Sequence, residues 1–377
     1  MRIAQIAPYY HPHAGGVESH VRALAQELAR EGHEVTVVTS RYDRSLPSEE
    51  RFEGYRILRY PVAGIWFNTP IDPAVAETLR GVDADVYHLH FPPPITSFFA
   101  ARAVRQMGRP SCLTYHCDLF LSTPLGSALT LAYNRLVLPG TLRRADRIIV
   151  HTRSYALTSR PLRGRPVAII PSSVDLTRFR PGVDGEEVRS RLGLVGRRVV
   201  GFTGRLVPHK GVDTLLRALV QLPEDVVLLL VGRGPDLTDL TLLARRLGVA
   251  DRVRFCPEVS DAELPEYLRA ADLFAFPSTN RLEGFGLAVA EALASGLPVV
   301  VADIPGVREI IEPGVEGLLT EPLLADDLAD SLRRLLDDPE RRARMGRAAR
   351  ARAEARYGVA SVTGALLEVY RSLPATG

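Results

Sequence analysis

The chain has 377 residues, of which 46% are hydrophobic and 24% charged, and a formal net charge of +3. That balance is that of an ordinary soluble globular protein, no segment reads as a membrane span, and the length favours two domains over one core. Cys112, Cys117 and Cys256 form no CxxC pair and leave an odd one, so neither a zinc ribbon nor a disulfide scaffold is expected. A reducing cytoplasm fits.

Short apolar runs alternate with helical patterns along the chain. In the first half IAQIAPY, EVTVVTS, DVYHLHF, PSCLTYH and RIIVHT read as strands. MRIAQIAPYY has too short an apolar part for a signal peptide and reads as the first of these. VESHVRALAQELAREG places Val17, Val21, Leu24, Ala25 and Leu28 at helical spacing. PSSVDLTRFRPGVDGE, rich in Pro, Gly and Asp, predicts a linker at 172–186 between domains at 1–171 and 187–356. The second half repeats the alternation with RRVVGFTG, DVVLLLVG, RVRFC, DLFAFPS and LPVVVA. FGLAVAEALASGLPVVVA carries a Glu and a Pro and reads as helix–turn–strand. An Arg- and Ala-rich helical tail follows Pro339, and its end, about 357–377, is a candidate to pack back on the first domain. Such alternation predicts α/β architecture with two doubly wound parallel sheets, which bind ligands beyond the strand C-termini.

Charge is unevenly placed. Residues 1–170 hold 20 Arg and 14 acids, whereas the remainder holds 27 basic and 30 acidic residues. Within 102–165, 11 Arg face two acids, which fits either a solvated basic face or attraction to an anionic surface. No zinc finger, helix-turn-helix or RNP-like strand supports nucleic acid as a partner. Residues 119–147 are apolar and then basic, a pattern for two packed helices or for a membrane-docking surface.

One lysine, Lys210, stands among 46 arginines. It lies in GRLVPHKG, between the strand RRVVGFTG and the helical VDTLLRALVQL. Strand–Gly loop–helix is a context for anion binding, because the first helical N–H groups lack partners. Arg205 and Lys210 add two cations there, and a lysine is a compact point charge suited to phosphate. A Walker A loop is excluded by the missing GK[ST], and a dinucleotide site by the missing GxGxxG. A second constellation is EGFGLAVAEALASG, with Glu283 and Glu291 eight apart around Gly284 and Gly286. The glycines leave the amides of Phe285, Gly286 and Leu287 open to a ligand. Glu291 sits inside the apolar LAVAEALA, where an unpaired carboxylate is costly, and it suits the two hydroxyls of a ribose.

Cations, free amides and two diol-ready carboxylates together describe a site for a sugar joined to a nucleoside diphosphate. The chain resembles family 4 of the glycosyltransferases over nearly its whole length. The resemblance rests on E-x7-E at Glu283 and Glu291, on Gly204, Arg205 and Lys210 in GRLVPHKG, on AGGVESH at 14–20, and on TYHCD with His116. It implies the GT-B fold, two Rossmann-like domains facing across a cleft, and transfer with retained anomeric configuration.

It further implies that Arg205 and Lys210 neutralise the diphosphate and that Glu291 holds the ribose. Glu283, Gly284 and the amides of Phe285, Gly286 and Leu287 would hold the donor sugar and phosphate, and Val259 would lie near the base. His116 and Gly16 would face the reacting sugar. Two positions depart from the family's pattern: the linker reads IPSSVD, with Ser172 and Ser173, where IPNGVD is common, and EPLLADD follows GLLT where a glycine is usual.

The expected activity is transfer of a hexose from a nucleotide sugar, GDP-mannose or a UDP-sugar, to a hydroxyl of a saccharide or lipid-linked acceptor. Neither cofactor nor metal is expected, and the expected location is the cytoplasm, with peripheral contact to the inner membrane face through 102–165. Rival readings are a Rossmann oxidoreductase, disfavoured by the missing GxGxxG, and a non-catalytic nucleotide-sugar or glycan-binding protein. Eight of nine histidines lie in residues 1–151, and His88 and His90 share a strand face if DVYHLHF is a strand, but no Cys or carboxylate set completes a metal site. DAD at 83–85 reads as a turn before that strand.

Overall fold

A computed structural model describes all residues except 14, 67–68, 72, 120–123 and 375–377. The chain divides into two compact units, Met1–Ser173 with Val359–Gly377, and Val174–Gly358.

The first unit contains β1 (Arg2–Ile6), β2 (Glu34–Ser40), β3 (Glu49–Phe52), β4 (Tyr55–Tyr60), β5 (Gly64–Trp66), β6 (Thr69–Ile71), β7 (Val86–Phe91), β8 (Ser111–Tyr115), β9 (Arg147–Val150) and β10 (Ala168–Ile169). Its main sheet has the order β10-β9-β8-β7-β1-β2-β4-β3. All pairs in it are parallel except β3 with β4, and β5 and β6 form a separate antiparallel hairpin. The β3–β4 turn was not legible in the motif pattern. It is made by Glu53 and Gly54, both at positive φ, which is the geometry a two-residue hairpin requires.

Both faces of this sheet are covered, so β1, β2, β7, β8 and β9 are buried almost throughout, their polar side chains included. The helix Gly16–Arg30 buries Val21, Leu24, Ala25 and Leu28, as their spacing predicts. On the same face the helix Val359–Arg371 adds Val362, Leu366, Leu367 and Tyr370 to one cluster with them. Each large aliphatic side chain so buried contributes roughly 1.5–3 kcal/mol.

The second unit contains β11 (Arg198–Thr203), β12 (Val226–Val231), β13 (Val253–Cys256), β14 (Leu273–Phe276), β15 (Val299–Ala302) and β16 (Gly317–Thr320), in the order β13-β12-β11-β14-β15-β16. Every pair is parallel. FGLAVAEALASGLPVVVA forms the helix Leu287–Ala294, a turn with Gly296 at φ 75°, and β15. No helix among the described residues is long and apolar enough to cross a membrane.

The stretch expected as a linker at 172–186 is built into the second unit from Val174 onward. Val174 and Phe179 lie in its core, and the Val174 N–H donates to the Tyr357 carbonyl at 2.7 Å. Asp175 closes the intervening turn by accepting from Thr177 and Arg178. Its Pro, Gly and Asp content marks turns, while two apolar side chains anchor it.

Candidate active site

In the second unit the chain runs from β11 outward to β12 and β13, then crosses to β14 on the other side of β11. That reversal leaves a crevice beyond the C-termini of β11 and β14. The loop GRLVPHKG leaves β11 there, and the loop ending in EGFG leaves β14.

The two loops are stitched together. Gly211, at φ 66°, precedes the helix Val212–Val220, and a Cβ on it would lie 2.1 Å from the Pro277 carbonyl oxygen. Thr279 N–H donates to the His209 carbonyl at 2.8 Å. Lys210 thereby reaches Glu283: its Nζ donates to the carboxylate and lies 4.7 Å from the centre of the Phe276 ring. Both partners are largely shielded, with side chains 15% and 12% exposed, so their attraction is screened less than a surface pair's. Arg205 is exposed and its guanidinium has no partner among the described residues. One cation is thus held in place and the other is free to meet an anion.

Glu291 lies one turn into the helix Leu287–Ala294, which starts after Gly286 at φ 81°. Its half-buried carboxyl has no hydrogen-bond partner among the described residues. Burial pushes its pKa up to about 8, with Arg178 pulling it down and Asp261 pushing it up. The folded chain therefore keeps a proton that the unfolded chain releases above about pH 4.5, a penalty that grows until the folded group titrates near 8. Glu291→Gln is expected to stabilise the fold at pH 7.5 by on the order of 1–3 kcal/mol, read from urea unfolding. A less stable variant would mean that the carboxylate is already satisfied.

The side chain of Phe285 is buried and packs edge-on to Tyr357 at 5.7 Å, so the loop presents backbone rather than a ring at this point. The amides of Gly286 and Leu287 open the helix and have no acceptor within it. Val259 follows β13 at the same end of the sheet and is half-buried against the core. Two glycines outside the expected set also build the site. A Cβ on Gly232 or Gly234 would come within 2.1 Å of the carbonyl oxygens of Gly204 and Leu206, so VGRGPD is the seat of the GRL turn. A GxG directly after a strand was the available signal.

In the first unit β1 is the reversal strand, between β2 and β7. Gly16 opens the helix Gly16–Arg30, and Ala14 of the same motif lies outside the described residues. His116 follows β8. It is 8% exposed, and both its ring nitrogens are engaged: Nε2 lies 3.0 Å from His90 Nδ1, and Nδ1 lies 2.9 Å from His151 Nε2. This differs from the expectation of an imidazole turned to a sugar. The cause is register: Tyr115 pairs with Val150, so the next residues, His116 and His151, fall side by side.

His88 and His90 do share a face of β7, with ring centres 4.3 Å apart, and His20 packs its ring on His90, His116 and His151. Among the described residues no group of three or more His, Cys, Asp or Glu is arranged to hold a metal. Asp83 and Asp85 pair with Arg2 at the start of β1.

Comparison with known proteins gives the family. Residues 14–178 match Glycosyltransferase Family 4, and residues 184–352 match Glycosyl transferases group 1. The chain is 32% identical to D-inositol 3-phosphate glycosyltransferase of Nocardia farcinica, over 95% of this chain and 84% of that protein. This chain belongs to the family 4 glycosyltransferases. Another relative, the GDP-mannose-dependent alpha-(1-6)-phosphatidylinositol monomannoside mannosyltransferase of Mycolicibacterium smegmatis, is 32% identical over 90% of each chain. Among solved structures, Anabaena HepE in complex with UDP-glucose superposes with a TM-score of 0.83 and 25% identity, over 99% of this chain and 100% of that one. Sucrose-phosphate synthase from Thermosynechococcus elongatus also gives a TM-score of 0.83 with 25% identity, over 98% of each chain. This family 4 glycosyltransferase therefore has the GT-B fold, and each of its two sheets carries its loops at a reversal strand.

Proposed function

We propose that this glycosyltransferase moves a hexose from GDP-mannose or a UDP-sugar to a hydroxyl of a saccharide or lipid-linked acceptor, with retention and without a metal ion. The observation that carries the reading is the Lys210–Glu283 ion pair, which joins the loop after β11, with its exposed Arg205, to the loop that opens the helix Leu287–Ala294 carrying Glu291. The mannosyl- and inositol-specific names of the relatives support a nucleotide-sugar donor. Breaking the sugar–phosphate bond leaves the electron pair on the diphosphate, while the anomeric carbon bonds to the acceptor oxygen and the acceptor's proton passes to the departing diphosphate. Arg205, Lys210 and the amides of Gly286 and Leu287 stabilise that charge from fixed positions. Glu291 accepts from the ribose hydroxyls, which supply the donors its carboxyl lacks. Glu283, with Gly284 and Phe285, holds the sugar, and Val259 borders the base. Gly16 and His116 face the reacting sugar, His116 by other atoms than its ring nitrogens, which His90 and His151 engage.

Nucleoside diphosphate release from a panel of UDP-, GDP- and ADP-sugars, in EDTA, tests the class and names the donor. Release from one donor in the presence of a mixed saccharide and polyprenyl or inositol lipid acceptor pool is expected. Binding of a donor with no release under any acceptor would favour a non-catalytic nucleotide-sugar-binding protein.

The acceptor is proposed to be met at a membrane surface. The helix Pro124–Leu136 exposes Leu125, Leu131 and Leu136, 64%, 56% and 80% accessible, beside Arg135 and the Arg143–Arg144 pair of the next helix. Exposed leucines flanked by arginines suit an anionic bilayer. Residues 120–123 of the same stretch lie outside the described residues. Co-sedimentation with phosphatidylglycerol vesicles is expected at low salt, falling at high salt and absent with phosphatidylcholine alone. Equal recovery in the supernatant of all three would remove the membrane from the proposal.

A further inference from the structure

A chain of buried side chains crosses the first unit at the reversal strand. His151 Nδ1 lies 3.0 Å from the Ile170 carbonyl oxygen, and His151 Nε2 lies 2.9 Å from His116 Nδ1. His116 Nε2 meets His90 Nδ1 at 3.0 Å, and His90 Nε2 meets the Gln5 side-chain amide at 2.8 Å. The other arm of Gln5 meets Tyr370 Oη at 2.9 Å, Tyr370 meets His88 Nδ1 at 2.7 Å, and His88 Nε2 meets Thr114 Oγ1 at 2.7 Å. All of these side chains are buried, and none of these partners is an acid, a lysine or an arginine.

One end of the chain settles its direction. A carbonyl oxygen only accepts, so His151 carries its proton on Nδ1 and accepts at Nε2. His116 must then donate from Nδ1 and accept at Nε2, and His90 must do the same. His90 Nε2 is left as an acceptor, so the amide arm of Gln5 that faces it must be the NH2 group, an assignment that the heavy-atom positions alone leave open. The Gln5 oxygen then accepts from Tyr370, Tyr370 accepts from His88 Nδ1, and His88 Nε2 accepts from Thr114. Ser172 Oγ also lies 3.4 Å from His151 Nε2, farther than the 2.9 Å contact with His116 Nδ1, and the path as directed needs no charge. With the amide turned the other way, His90 must donate from both nitrogens and the same path holds one more proton.

We propose that Gln5, His90 and His151 are positioning residues that hold His116 neutral, with its proton on Nδ1, at the mouth of β8, and that the Gln5 amide sets the direction of the chain. The proposal deepens the reading of His116 given above and rests on it for its catalytic consequence. The groups packed on the path are His20 from the helix Gly16–Arg30, Cys112 and Thr114 from β8, His88 from β7 and Tyr370 from the helix Val359–Arg371. Burial lowers the proton affinity of His20, His88, His90, His116 and His151 alike, in keeping with a neutral path.

Imidazole 15N spectra of the full chain at pH 7.5 test the path without turnover. His88, His90, His116 and His151 should each show a protonated Nδ1 and a bare Nε2. An Nε2–H tautomer at His116 or His90, or an imidazolium at either, would overturn it. Gln5→Glu, with only acceptors to offer His90, should bring an imidazolium into the path at pH 7.5. It should also lower kcat by about tenfold to a hundredfold while donor KM stays within twofold, and add an ionisation to the pH profile. Unchanged kcat and pH profile in a folded Gln5→Glu chain would sink the positioning role. The expected tautomers in a wild-type chain that transfers no sugar would leave the path standing and remove the functional reading.

Discussion

Lys210→Ala is expected to lower kcat by roughly a hundredfold to a thousandfold, about 2.7–4 kcal/mol of transition-state stabilisation, the range for removing one fixed donor from a developing anion. The geometry adds a complication that can be separated. Lys210 holds Glu283, so its loss leaves a shielded carboxylate without its cation beside the place proposed for a diphosphate. Part of the effect of the single variant would be that repulsion and a loss of stability. Lys210→Ala with Glu283→Gln removes both charges. The double variant should regain the wild-type urea midpoint and remain far below wild-type turnover. Recovery of turnover in the double variant would assign Lys210 to holding Glu283, with no direct part in the reaction. Lys210→Arg should rescue poorly. The ammonium contacts both the Phe276 ring and Glu283, with Gly204 near the lysine stem, and a planar fork does not reproduce that compact point charge.

Acid should destabilise the first unit steeply. His20, His88, His90, His116 and His151 are all buried, and burial lowers the pKa of each, to about 3 at His88 and about 4 at His151. An unfolded histidine titrates near 6.5. Below that pH the unfolded chain binds protons that the folded one refuses, so stability is full above 6.5 and falls as pH falls. Each such group contributes about 1.4 kcal/mol per pH unit well below 6.5. For four or five of them the loss between pH 8 and 5.5 is roughly 5–7 kcal/mol, comparable with the whole stability of a domain. Urea midpoints at pH 8, 6.5 and 5.5 should fall in that order, and His20→Phe should flatten the slope by one group's share. A midpoint unchanged down to pH 5.5 would show that the cluster accepts its charge.

The motif pattern singled out the two loops that leave β11 and β14 because the chemistry proposed for them is local. A loop between a strand and a helix exposes N–H groups wherever it occurs, and GRLVPHKG carries its glycines and cations, and EGFGLAVAEALASG its glycines and carboxylates, each within a short run. The ion pair between Lys210 and Glu283 joins residues 73 apart and depends on β11 lying against β14, which no local pattern encodes. Glu291 was legible as an acid in an apolar helix, but its lack of a partner required the packed neighbours.

The histidines show the same division. Their crowding into residues 1–151 was plain, and their purpose was not. His20 comes from a helix, His88 and His90 from β7, and His116 and His151 from the residues just after β8 and β9, and they meet only because parallel register sets these strands level with one another. By itself the sequence determined the alternation of strands and helices, since that follows from periodicity, and it carried the motifs on which the family resemblance rests. Only the tertiary structure decided which charges pair, which carboxyl stands alone and which way a buried hydrogen-bond chain runs. Those depend on distances between segments far apart in the chain, and on water being excluded where they meet.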